Sequence, residues 1–295
     1  MSKPDGVVDA LSAVDWAQPW LAPVRAAGLR CTAHVTTTPL ACAGRYAAAL
    51  HHATADRQVR LPVRFVPQSH LPVGEAYEAF IARTRQVPTR DHLHDLFNGL
   101  VWQRWPHTKA QLNTLQATEI VRDGITARRG PVRDAITVFD ENGAILLAPP
   151  VLWHALLQRD WQALFLTHRP LWQAQARLVL FGHALMEQLV RPRKNLTAHV
   201  LVLPQVPAGM DVQALDDGDA HTWAQWDAHI AAQLKAAWLA GKPLTPLPVL
   251  GHPGWWPDNE NPAFYADTAV FRPATPLVTS GKNASEKAEK ISVGA

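Results

Sequence analysis

The chain has 295 residues, 47% of them apolar and 18% charged, with a formal net charge of +3. That is enough apolar material for a large core, and too thin a basic excess for the one-sided Lys/Arg face that nucleic-acid binding needs. No stretch approaches the roughly 20 apolar residues of a membrane helix, the N-terminus lacks a signal peptide's apolar run, and Cys31 and Cys42 form neither a zinc-type pair nor a disulfide framework. The expectation is a cytoplasmic protein with no membrane partner.

Residues 1–30 read as a short helical arm. Leu40 to His52, rich in alanine, reads as a helix. Val59 to Pro67 alternates as a strand, and Pro62 assigns it to a sheet edge. Tyr77, Phe80 and Ile81 place a helix over 74–83. The densest chemistry follows, from Pro88 to Lys109. There Leu93, Leu96, Phe97, Leu100 and Val101 form one helical face, and Asp91, Asp95, Asn98, Trp102 and Trp105 fall opposite. Pro106 stops this helix and suits the first turn of the next, over 106–121.

Ala135 to Phe139 reads as a strand, Asp140-Glu-Asn-Gly143 as a hairpin turn and Ala144 to Ala148 as the returning strand. Helices are predicted over 151–165 and 171–190, the second apolar nearly all round. A strand over 197–203, a helix over 221–240 and an irregular Pro/Gly-rich segment over 243–272 complete the body. Small polar residues predict disorder over 275–295. The fold class is α+β, mainly α-helical: a single domain over 1–274 with about eight helices and a small sheet that includes the 135–148 hairpin.

Three blocks carry a resemblance. They are His94-Asp-Leu-Phe-Asn-Gly-Leu-Val-Trp102 with Trp105-Pro-His-Thr-Lys109, then Phe181-Gly-His-Ala-Leu-Met-Glu187, then Pro246-Leu-Pro-Val-Leu-Gly-His-Pro-Gly-Trp-Trp-Pro257 running on to Phe271-Arg-Pro273. They resemble a bacterial domain-of-unknown-function family, number 3025, over about residues 15–273. The resemblance implies no activity and brings no catalytic residues with it.

Four groups of residues offer chemistry. His94, Asp95 and Asn98, joined by His183 and Glu187, suit a catalytic acid–base site. His94, Asp95, His183 and Glu187 also suit a divalent transition metal, because imidazole and carboxylate one turn apart on a helix can face one ion. His92, two residues from His94, cannot face the same way. The structural alternative is a buried His183–Glu187 pair and a helix-start cap at His94-Asp95. Lys109, Asn113 and Arg133, with Arg90 or Arg104, suit an anion, or a solvated helix face. Asp140 and Glu141, paired carboxylates near Arg133-Asp134, read first as turn residues. His252, Trp255 and Trp256 suit a pocket rim, or a clamp across the core. Two functions follow: a metal-dependent or acid–base hydrolase acting on a small molecule, and a non-catalytic binding or scaffold protein with a Trp/Pro-rich surface.

Overall fold

The computed structural model describes residues 6–39, 42–54, 61–124, 130–202, 212, 215 and 220–273. The polar tail expected over 275–295 lies outside them. The protein is mainly helical with two small sheets. Twelve α-helices occur among the described residues, against the eight that periodicity predicts. The excess comes from a second helix in the N-terminal arm, from a helix in place of the predicted hairpin, and from predicted long helices that are broken into shorter pieces. No described helix is long and apolar enough to cross a membrane.

The smaller sheet pairs β1 (Arg64–Pro67) with β2 (Gln86–Thr89) in parallel, Phe65 opposite Val87. Both strands are therefore edges; β1 begins at Arg64, after Pro62, and Val59 and Arg60 of the predicted strand lie outside the described residues. The larger sheet has the order β4-β3-β5-β6. Here β3 is Gly143–Leu147, β4 Arg177–Leu180, β5 Thr197–Val202 and β6 Leu244–Pro248. Strand β3 runs antiparallel to β4 and parallel to β5, and β6 returns antiparallel to β5. All five residues of β3 are buried, as befits an inner strand that reads as a continuous apolar run.

Numbering the α-helices in chain order, α1 to α4 are Gly6–Ser12, Arg25–Thr37, Arg45–His52 and Tyr77–Thr84. Helices α5 (Leu93–Arg104) and α6 (Pro106–Asp123) divide at Pro106 as predicted. The free N–H groups of His107 and Thr108 at the start of α6 donate to Asp227, at 2.7 and 2.8 Å. A carboxylate from a distant helix thus serves as the cap. The stripe opposite the apolar face of α5 is not solvated: Asp95 to Gln103 are all buried, and Trp102 and Trp105 are core residues. A helical wheel separates faces but does not show that both are covered.

The predicted hairpin is absent. Pro131–Asn142 is a helix, α7, opened by Pro131 and burying Val132, Ala135, Ile136 and Phe139. Their i, i+3, i+4, i+7 spacing is helical, and it outweighs the β-prone composition of 135–139. Gly143 is extended and begins β3. A Cβ there would meet the Phe139 carbonyl oxygen, so the Asn142-Gly143 pair is a helix-to-strand joint and not a turn.

Helix α8 covers Pro150–Gln158, and Ala163–Thr167 is a single π-turn. The predicted helix over 171–190 is three elements: α9 (Arg169–Ala174), β4 and α10 (His183–Gln188). Its all-round apolarity came from Leu178, Val179 and Leu180 in the buried sheet, a run that periodicity alone does not distinguish from a buried helix. The helix predicted over 221–240 breaks at Leu234-Lys235 into α11 (Ala220–Gln233) and α12 (Ala236–Ala240).

Two joints meet at the sheet's end. The N–H groups of Phe181 and Gly182 both donate to the Gly143 carbonyl, at 3.0 and 2.8 Å. A Cβ on Gly182 would lie 2.4 Å from the Gly143 nitrogen and 2.5 Å from the Asn142 Cα. Only glycine allows that approach. Gly182→Ala is expected to lower unfolding stability in chemical denaturation by about 1–3 kcal/mol, the range of overpacking in a tight core. A stability equal to wild type would show that the joint is slack.

Candidate metal centre

Three helices deliver the chemistry to the end of the sheet. His94 lies in the first turn of α5, Glu141 in the last turn of α7, and His183 is the first residue of α10 with Glu187 one turn on. The Gly182–Gly143 contact sets α10 against α7, and α10 also packs against α5.

The two Nε2 atoms of His94 and His183 are 3.1 Å apart. Glu141 Oε2 lies 3.6 Å from the first residue's partner, His183 Nε2, and 3.9 Å from His94 Nε2. These three residues form the group of ligand-type atoms able to hold a metal among the described residues. The point equidistant from the three atoms is about 2.1 Å from each of them, the length of zinc–nitrogen and zinc–carboxylate bonds.

Each ring also has a carboxylate behind it. His94 Nδ1 is 3.1 Å from Glu187 Oε2, and His183 Nδ1 is 3.8 Å from Asp140 Oδ2. Metal-bound histidines characteristically donate the second ring N–H to such a partner. A metal-free arrangement of two neutral rings fits less well: if His94 Nδ1–H donates to Glu187, His94 Nε2 must then accept from His183 Nε2–H. His183 Nδ1 is then a bare lone pair, buried and without a hydrogen-bond partner among the described residues, facing the Asp140 carboxylate. A cation between the Nε2 atoms places a proton on both Nδ1 atoms and removes that conflict. Burial pushes His183 down to about 4, so the ring is neutral near pH 7 and able to ligate. The cluster opens on one side: His183 is 5% exposed, whereas His94 and Glu141 are 32% and 35% exposed.

Asp140 faces two ways. Oδ1 accepts from Lys109 Nζ at 2.6 Å. Burial opposes ionisation of Asp140, but Lys109 and His183 outweigh it and hold the carboxyl below its usual range. Lys109 also donates to Asn98 Oδ1 at 2.8 Å, and Asn98 Nδ2 donates to the Tyr77 hydroxyl at 3.0 Å.

Of the residues singled out from sequence, His94, His183 and Glu187 meet here. Asp95 does not join them: its carboxylate accepts from the Arg90 backbone N–H at 2.6 Å and from the Arg90 guanidinium at 3.0 and 2.8 Å. It ties the chain just before α5 to the first turn of that helix, and the side-chain cap that was the alternative reading does not form. Asn98 is a strut between Lys109 and Tyr77. The ligand geometry thus has Glu141 where the sequence reading has Asp95, and sets Glu187 behind His94. The expected anion site does not assemble. Lys109 is committed to Asn98 and Asp140, Arg90 to Asp95, and Asn113 Nδ2 to the Glu78 carbonyl at 3.0 Å. Arg133 is buried within α7.

The Gly251–Pro257 loop acts as a clamp. His252 lies between Trp172 and Trp255, with ring centroids 4.8 and 4.5 Å away, and donates from Nδ1 to the Pro253 carbonyl at 2.8 Å. Trp256 Nε1 donates to Asp258, and Asn259 and Tyr265 hold the carbonyls of Leu250, His252 and Gly251. No hydrogen bond or ring contact among the described residues ties His252, Trp255 or Trp256 to His94 or His183.

Glu141 is the residue that sequence reading missed as a partner for the histidines. Its signal was present: Pro131 followed by apolar residues at 132, 135, 136 and 139 predicts a helix whose last turn carries Asp140 and Glu141 side by side.

Residues 63–275 match the family described as protein of unknown function (DUF3025). The chain belongs to that family. No curated protein and no solved structure matches it.

Burial pushes His252 down to about 4. Its protonation in the unfolded chain therefore begins near pH 6.5, well above the folded value. The unfolded state binds more protons over that interval, so stability falls as pH drops from about 6.5 to 4, by at most about 3 kcal/mol from this residue. His252→Asn is expected to flatten the pH dependence of unfolding between pH 7 and 5, read by denaturant titration at each pH. An unchanged slope would mean that His252 titrates alike in both states.

Proposed function

We propose that the protein is a metal-dependent hydrolase of a small molecule, with a divalent transition metal held by His94, Glu141 and His183. The carrying observation is the triangle of His94 Nε2, His183 Nε2 and Glu141 Oε2, whose edges of 3.1, 3.6 and 3.9 Å admit one ion at bonding distance from all three. Two imidazoles and a carboxylate are the donors of catalytic zinc sites, in which a fourth position stays open to water or substrate. The same donors serve octahedral iron as a facial triad. Bonds of about 2.1 Å at right angles give donor separations of about 3.0 Å, and a tetrahedron gives about 3.4 Å. The three edges average about 3.5 Å, nearer the tetrahedral figure, which favours four-coordinate zinc.

The roles divide by position. His94 and His183 supply neutral nitrogen donors, and Glu141 supplies the charged one. Glu187 and Asp140 orient the rings through Nδ1. The partly exposed side of His94 and Glu141 gives water and substrate their approach. A bound zinc ion lowers the pKa of its water to about 7 and polarises a carbonyl or phosphoryl oxygen. The non-catalytic reading has less support, because nine of the twelve tryptophans are buried in the core and do not form a docking surface.

Elemental analysis of the full chain after zinc reconstitution and dialysis is expected to show one ion per chain. His94→Ala and Glu141→Ala are each expected to lose most of it while keeping the far-UV spectrum of the wild type. A chromogenic panel of esters, amides and phosphoesters is expected to reveal hydrolysis that a chelator abolishes and zinc restores. Wild-type protein that retains no transition metal would overturn the reading. A metal-loaded protein that hydrolyses none of the three bond types would overturn the hydrolase and leave the metal site.

A further inference from the structure

The ligand set does not itself require Lys109, yet this lysine is 5% exposed and sits behind the cluster. A buried ammonium has lost its hydration, and an apolar side chain of similar volume is often as stable or more so. Its retention calls for a reason, and the geometry supplies one.

Lys109 Nζ holds Asp140 Oδ1 at 2.6 Å and Asn98 Oδ1 at 2.8 Å, and its ammonium lies 5.5 Å above the Trp102 ring. The other carboxylate oxygen of Asp140 is the one that faces His183 Nδ1, 3.8 Å away. Asn98 is fixed in turn by the Tyr77 hydroxyl at 3.0 Å. A chain of four side chains from α4, α5, α6 and α7 therefore ends on the back of one ligand ring. The second ligand ring is backed differently: Glu187 behind His94 is 38% exposed, and no Lys or Arg ion pair with it is present among the described residues.

We propose that Lys109 and Asp140 are a positioning pair for the metal centre: Lys109 holds Asp140 in place through Oδ1, and Asp140 Oδ2 takes the Nδ1–H of His183 so that Nε2 faces the metal. This rests on the metal reading above. Removing the ammonium takes away the hydrogen bond that fixes Asp140 Oδ1, so the carboxylate loses its aim at His183 and Lys109→Met should behave like Asp140→Asn. Loss of an outer partner of this kind typically costs 10–100-fold in metal affinity.

The test is zinc affinity of the full chain by competition with a chromophoric chelator, together with the visible spectrum of the cobalt(II)-substituted protein. Asp140→Asn and Lys109→Met are each expected to weaken zinc binding about 10–100-fold and to shift the cobalt bands. The double variant is expected to be no weaker than either single one, because both act through the same ring. It carries no uncompensated buried charge, so it reports even where Lys109→Met alone folds poorly. Lys109→Met costing as much affinity in the Asp140→Asn background as in wild type would overturn the proposal, since the lysine would then act by packing alone. So would single variants that bind zinc as wild type does. Wild-type protein that binds no zinc overturns the metal centre itself and this pairing with it, whereas an effect missing only in the variants overturns the pairing alone.

Discussion

One backbone contact decides where the chemistry of this protein can assemble. The Gly143 carbonyl accepts from both Phe181 and Gly182, and Gly182 passes so close to Asn142 and Gly143 that a Cβ has no room. This pins the start of α10 to the end of α7. His183 is the first residue after that glycine, and Asp140 and Glu141 are the last acidic residues before the other one. Their meeting follows from the strand pairing of β3 with β4, with no loop involved. Sites carried on helix ends that a sheet fixes hold their geometry better than sites on loops.

The electrostatics of the cluster follow the same economy. Three carboxylates surround two histidines, and each has a separate task, while Asp95 is paired with Arg90 ahead of α5. Asp140 is balanced by Lys109. Glu187 backs His94. Glu141 is left facing both Nε2 atoms. Between two neutral rings, hydrogen bonds alone leave a buried His183 lone pair against an anion, whereas a divalent cation would satisfy both rings and the carboxylate together. Buried polar networks are favourable only when every member is satisfied.

Much of this was legible in the chain. The division of α5 from α6 at Pro106 follows from proline's missing donor, and the Tyr77 helix follows from its spacing. The chemical types of His94, His183 and Glu187 marked them as a group before any distance was known. What was not legible depended on tertiary contact. Asn142-Gly143 is a strong hairpin signal, but here its small residues serve a joint between a helix and an inner strand. That misreading placed Asp140 and Glu141 on a turn, where acidic residues need no further explanation, and so hid the third ligand. Asp95 looked like a ligand because a helical wheel records direction and not partners. Arg90, five residues earlier, already occupied it. The tryptophans at 102 and 105 fell on the face opposite the apolar one for a similar reason, yet both are core residues, since α5 is covered on both faces.

The exposure pattern separates the two uses a zinc-type site can have. Structural sites are closed, with four protein ligands and no room for water. Here three ligand atoms converge, His183 is sealed, and His94, Glu141 and Glu187 are each about a third exposed. The buried half carries the rigid support, with Lys109, Asn98 and Trp102 packed behind His183. The open half carries the charged and accessible groups. A site supported from within and open on one edge would have its ligands oriented before any ion arrives, and the position left over would face solvent. That is the arrangement in which a metal can exchange one ligand for substrate without disturbing the fold that holds it.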